Sequence, residues 1–214
     1  MMAEYSSDEE RFSAILNFFK DYKSTIFASL IVITVFSISF FSYNTFQKNK
    51  NSKAAELYDS WFSMMASETP NLDSAETYFT DLQTKYKTTG YAQLAKMIHA
   101  SNTAREGDLK NALVDFNELL NTSSGLWGNN LINSVAKMNI ARIEVSLSNF
   151  KNALSALESF DSESEHYLVY ELKGDALAGL QRADLAKAQY SKAIEKAQTE
   201  SQKSLLRIKI NSIQ

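Results

Sequence analysis

The stretch YELKGDALAGLQRADLAKAQYSKAI, Tyr170 to Ile194, decides how the rest of this chain is read. Small residues at Gly174 and Ala186 allow two antiparallel helices to approach closely, because the distance between helix axes is set by the side chains at the contact. Leu177 and Ala193 keep the apolar spacing, and bulky Tyr190 fills the gap toward whatever stacks next. The same frame slides back along the chain. In GDLKNALVDFNELL the corresponding residues are Ala112, Phe116 and Leu119, with Ala100 upstream; in SNFKNALSALESF they are Ala153, Leu157 and Phe160, with Ala141 upstream. The phrases DLKNAL and NFKNAL are the visible self-similarity, and a fixed repeat of this kind signals stacked supersecondary units. A fainter hairpin precedes them, pairing AAELYDSWFSMMA with LDSAETYFTDLQTKY through Ala75, Phe79 and Leu82. SQKSLLRIKINSI, with Leu205, Ile208 and Ile210, closes the stack as a terminal cap.

This spacing resembles the 34-residue tetratricopeptide pattern. Gly174 takes its eighth position, Leu177 the eleventh, Ala186 the twentieth, Tyr190 the twenty-fourth and Ala193 the twenty-seventh. The offsets between copies are 41 and then 33 residues, so the first step carries an insertion, expected in NTSSGLWGNN, Asn121 to Asn130. Trp127 there lies between two glycines; it either tucks back onto the repeat beneath it or contacts a partner. The resemblance implies a curved wall lined by the first helix of each pair. Its residues are Leu94, Met97, Ser101 and Arg105, then Val135, Met138, Arg142 and Val145, then Leu168, Glu171 and Asp175. Methionines, aliphatics and both signs of charge suit a protein-binding wall, since flexible Met adapts to varied partners. The competing reading packs some of these residues against the terminal helix.

Upstream, STIFASLIVITVFSISFFSY, Ser24 to Tyr43, sits in a run without a charged side chain from Ser24 to Gln47. About 20 helical residues cross a hydrocarbon core, and Tyr22 and Tyr43 stand where amphipathic rings prefer the headgroup level. The run exceeds the apolar core of a signal peptide, and SFFSYNTF puts bulky residues where a cleavage site would need small ones. The expectation is a retained anchor. Its orientation is not legible in charge: Arg11, Lys20 and Lys23 precede it, and Lys48, Lys50 and Lys53 follow. The head, SSDEERFSAILNFFKDY, offers a capping box from Ser7 and Glu10. Phe12, Ile15, Leu16, Phe19 and Tyr22 follow on one helix face, for the membrane interface or a membrane partner.

Composition narrows the function. One proline and six glycines in 214 residues argue for an all-α chain with short connections. A net charge of −3 and no stripe of Lys and Arg leave no field for nucleic acid. Without cysteine there is neither a disulfide framework nor a thiolate metal site. The three acids of FDSESEH, Asp161, Glu163 and Glu165, lack the glycine and spacing of a calcium loop. The only histidines, His99 and His166, are read as structural or surface residues. No phosphate loop, HExxH helix or nucleophile elbow occurs. The expectation is a protein with no catalytic residue, cofactor or metal.

The order of elements then resembles one family: the single-span ancillary subunit of the bacterial Sec translocon. The matching stretches are ILNFFKDY before the span, YAQLAKMIHA, INSVAKMNIARIEVSLSNFKNALSALE, LKGDALAGLQRADLAKAQYSKAI and the ending RIKINSI. The resemblance implies a cytoplasmic head at 1–23, a transmembrane helix at 24–47 in the inner membrane and a periplasmic tetratricopeptide-like domain at 48–214. Its implied partners are the translocon subunits, a membrane-anchored periplasmic chaperone of the prolyl-isomerase type, membrane lipid and translocating clients. The loop around Trp127 is longer than that family's pattern. The alternative function is a membrane-tethered scaffold for envelope assembly or division.

Overall fold

The computed structural model describes residues 8–67, 69, 71–125, 128–160 and 166–213. Among them are nine helices and no strand: α1 (Asp8–Met65), α2 (Leu72–Lys85), α3 (Gly90–Arg105), α4 (Leu109–Thr122), α5 (Asn130–Ser146), α6 (Phe150–Ala156), α7 (Tyr167–Gly179), α8 (Ala183–Lys196) and α9 (Glu200–Ser212). The fold is all-α, as the repeat spacing predicts. Two compact units divide the chain, Met1–Ser52 and Lys53–Gln214.

In the first unit, the head and the uncharged run belong to one helix. No proline or glycine occurs between residues 8 and 65, so nothing in the sequence breaks the backbone. The hydroxyls inside the run do not compete with it. Ser29, Thr34 and Ser37 donate to the carbonyls of Thr25, Leu30 and Ile33, each at 2.8 Å. Leu30, Ile31, Val32 and Ile33 are consecutive and all exposed, as are Phe27, Phe36, Phe40 and Phe41. A helix that is apolar all round needs lipid or protein to cover it. Length and composition qualify this one to cross a membrane. Phe12, Ile15, Leu16, Phe19 and Tyr22 continue on it, exposed. Ser7, the start of the expected capping box, lies outside the described residues.

The second unit is a series of hairpins. Residues 53–65 of α1 share a core with α2 and α3: Ala54, Trp61, Ala75, Phe79, Leu82, Ala92 and Ala95. Ala100, Ala112, Phe116, Leu119, Ile132, Ala136, Ile140 and Ile143 join α3, α4 and α5. Ala141, Ala153, Leu157, Val169, Leu172 and Ala176 join α5, α6 and α7. Tyr170, Leu177, Ala186, Tyr190, Ala193 and Leu206 join α7, α8 and the closing α9. The hairpin positions picked out by spacing are therefore core residues, apart from Phe160, which is half-buried in the turn after α6. In the closing helix the expected Leu205 and Ile208 are exposed; Leu206 is the residue that enters the core, with Ile210 packed partly against it, because α9 turns a different face to α8 than the spacing suggested. Burying a Leu or Phe side chain contributes about 1.5–3 kcal/mol, so each hairpin is held chiefly by the neighbour it stacks on.

The turn inside each of three hairpins is the same. The first helix ends with one residue in the left-handed region: Gly107 at φ 93°, Ser148 at φ 62° and Gln181 at φ 60°. The next amide closes a six-residue ring, from Asp108 to Thr103 O, Asn149 to Glu144 O and Arg182 to Leu177 O, at 2.8 to 3.1 Å. This is the Schellman stop, which prefers glycine; two of the three copies do without it. Second helices start on short polar caps where available. Asn71 and Asp108 accept from the amides of Ser74 and Asn111, and Thr199 with Gln202 forms a full capping box for α9.

The insertion does not sit in the Asn121–Asn130 connection alone. Twenty-one residues separate the starts of α4 and α5, against 17 from α6 to α7. Twenty separate α5 from α6, against 16 from α7 to α8. Half of the excess is therefore an added helical turn in α5. Trp127 lies outside the described residues, as do Asp161, Glu163 and Glu165.

Candidate functional site

The expected wall residues fall on α3, α5 and α7, the first helices of three hairpins. On α3, Leu94, Met97 and Ser101 are half-buried and Arg105 is exposed. On α5, Val135, Met138 and Val145 are half-buried and Arg142 is exposed. Met97 packs against the α3–α4–α5 core, and Met138 and Val145 against the α5–α6–α7 core. Each of these side chains therefore serves the fold with one edge.

Three of the residues meet in one place. Ser101, Arg105 and Arg142 line a cleft of about 320 Å³ with Ala104, Leu109, Phe116, Asn139, Ile143 and Ser146. It opens between α3 and α5 over α4. Arg105 Nη1 donates to Asn102 Oδ1 at 3.3 Å, and Arg142 Nη1 to Asn139 Oδ1 at 3.0 Å.

On α7 the wall is already occupied from within. Leu168 is half-buried, and Glu171 and Asp175 both face Lys209 of the closing helix. Lys209 Nζ donates to Glu171 Oε1 at 2.7 Å and to Asp175 Oδ1 and Oδ2 at 2.7 and 2.8 Å. Tyr190 Oη also donates to Asp175, at 2.7 Å, and the ammonium stands 5.7 Å from the Tyr190 ring centroid. Burial opposes the charge on Lys209, but the two carboxylates outweigh it and hold its pKa above the ordinary lysine value. Burial, then Asp175, pushes the Tyr190 phenol strongly up.

A second polar cluster was not legible in the sequence. His99 on α3 stacks on Phe79 of α2, with ring centroids 4.5 Å apart and planes at 23°, and its Nδ1 meets Asp115 Oδ2 of α4 at 2.9 Å. Lys96 donates to Glu118 and stands 3.6 Å from Asp115. The hydrogen bond to Asp115 raises the His99 pKa, and burial only partly offsets it. Burial would push Asp115 up, but His99 and Lys96 together hold it below the usual carboxylate range. The cluster ties α3 to the helices on both sides of it. His166 is the N-cap residue of α7, with its ring stacked beside Tyr167. Among the described residues, no group of His, Asp and Glu side chains is arranged to hold a metal ion.

Stacked hairpins that present the first helix of each pair define a helical-repeat scaffold. From residue 17 to 214 the chain matches the sequence model described as the tetratricopeptide repeat-like domain, and it belongs to that family. Domains of this kind mediate protein–protein interactions. No curated protein and no solved structure matches the chain.

Proposed function

We propose that this protein is a non-catalytic, membrane-tethered interaction scaffold that serves as an accessory of the Sec translocon. In this reading residues 1–23 are a cytoplasmic head, 24–47 span the inner membrane, and 48–214 form a periplasmic repeat domain. The wall of α3 and α5 recruits a membrane-anchored prolyl-isomerase-type chaperone or a segment of a translocating client. The observation that carries the reading is one chain holding both an uncovered, all-round apolar helix and a repeat stack with a solvent-open wall. The resemblance of ILNFFKDY, the repeat hairpins and RIKINSI to the translocon's ancillary subunit supplies the particular assembly. The binding residues proposed are Leu94, Met97, Arg105, Val135, Met138 and Arg142. Glu171 and Asp175 join them only when α9 is displaced, because Lys209 holds both.

The test is photo-crosslinking in native membranes, with one reactive residue at Phe36 in the span and another at Met138. Translocon subunits captured from Phe36, with a chaperone or secreted chain captured from Met138, are the expected products. A different envelope protein captured from both positions would leave the scaffold standing and remove the translocon from the proposal.

A further inference from the structure

One four-residue pattern occurs twice on the wall. Asn102-Thr103-Ala104-Arg105 ends α3, and Asn139-Ile140-Ala141-Arg142 runs through α5. In both copies the asparagine, one turn earlier, accepts from Nη1 of the arginine. Successive hairpins thus aim two braced guanidinium groups at the same cleft.

What surrounds those groups defines what they can bind. No acidic residue lines the cleft, and its apolar lining is Ala104, Leu109, Phe116 and Ile143. Among the described residues, neither Arg105 nor Arg142 meets a carboxylate, whereas Lys96 and Lys209 each meet two. The two serine hydroxyls have spent their protons internally, and Asn139 has spent one of its two amide N–H donors. Ser101 Oγ gives its proton to Met97 O, Ser146 Oγ to Arg142 O, and Asn139 Nδ2 donates to Val135 O. A visiting group finds two guanidinium forks with unspent N–H donors above an apolar floor. Such forks match a carboxylate in bidentate geometry.

We infer that this cleft holds a glutamate or aspartate side chain of an extended partner polypeptide, with an aliphatic neighbour seated on Ala104 and Leu109, the half-buried part of the apolar lining. The inference rests on the reading of the wall as protein-binding and names the class of segment it takes. A free small anion would meet the arginines but leave the apolar floor uncovered. A peptide carboxylate beside a leucine or valine uses both. The chain as a whole carries a net charge of −3, so the attraction is local to the cleft and weakens with added salt.

The experiment uses the full chain in lipid nanodiscs and two pools of short fluorescent peptides. One pool carries a central Leu-Glu-Leu in random flanks, the other Leu-Gln-Leu in the same flanks. Fluorescence anisotropy should show the Glu pool binding about tenfold more tightly, near 1.4 kcal/mol, as expected for one charge-assisted contact. Arg105→Gln and Arg142→Gln should each reduce that preference, and the double variant should abolish it with the melting temperature unchanged. Arg142→Lys should retain part of it. Equal binding of both pools, or a preference that survives the double variant, overturns the inference. If the pools bind equally and Met138→Asp abolishes binding, the wall is protein-binding but not selective for acids. If neither pool binds, the wall reading falls along with the inference.

Discussion

Gly174→Ala is the substitution that tests the repeat frame most directly. A methyl group at this position in α7 would lie 2.5 and 2.6 Å from Cε1 and Cδ1 of Tyr190, well inside ordinary contact. The ring would have to retreat by about 1 Å to restore normal van der Waals separation. It has little room, being 3% exposed, and its hydroxyl donates to Asp175, which also holds Lys209. Overpacking of this kind costs about 1–3 kcal/mol. A weakened hydrogen bond to a carboxylate adds about 1.5 kcal/mol. Replacing glycine within a helix returns about 1 kcal/mol. The balance is a loss of about 2 kcal/mol, a fall in melting temperature of roughly 4–8 °C for a unit of this size. The control is Gly90→Ala, since nothing lies within 4 Å of a Cβ there. It should be neutral or raise the melting temperature slightly. Both variants are measured as full chains in detergent by far-UV circular dichroism. If Gly174→Ala behaves like Gly90→Ala, the close approach of α7 and α8 is not what the structure describes, and the reasoning from repeat position to packing fails.

Three further outcomes follow from the same packing. Because the His99 pKa is raised, its pairing with Asp115 is fully stabilising below about pH 6.5 and is lost as pH rises through the higher folded value. Melting temperature should therefore fall as pH rises above about 6.5, by an amount worth under about 1 kcal/mol because the pair is half-exposed. His99→Gln should flatten that step, while Glu76 and Lys96, the other charges acting on His99, are retained. Lys209→Ala should cost about 2–3 kcal/mol, read as a lower urea midpoint at unchanged slope, because Glu171 and Asp175 lose their shared cation. Gln181→Gly, at φ 60°, should raise the melting temperature by about 1–2 °C, and Gly107→Ala, at φ 93°, should lower it.

Much of the architecture could be read from residue spacing because it depends on local rules. Ala112, Phe116 and Leu119 lie one turn apart on α4, and their recurrence at Ala153 and Leu157 and at Ala186, Tyr190 and Ala193 reports the same buried face. The turns inside the hairpins were less legible. Only Gly107 carries the glycine that marks a left-handed stop; Ser148 and Gln181 adopt the same conformation without it. The extent of α1 was hidden for the opposite reason. A change of composition at Lys48 suggests a joint, but with no proline or glycine before Pro70 the hydrogen-bond ladder continues through it.

Residue order is enough to show that this chain is all-α, that it repeats a helical hairpin, and that one helix is apolar enough for lipid. Each of these follows from periodicity and composition, which act over a few turns. Which polar residues meet depends on the packing of the helices. Lys209 lies 38 and 34 residues from Glu171 and Asp175, and it takes both acids from the wall. His99 reaches Asp115 across 16 residues, and Arg105 shares a cleft with Arg142 from the next hairpin. Such meetings depend on how the helices cross and how far the insertion lengthens α5, and residue spacing along one helix carries no information about either.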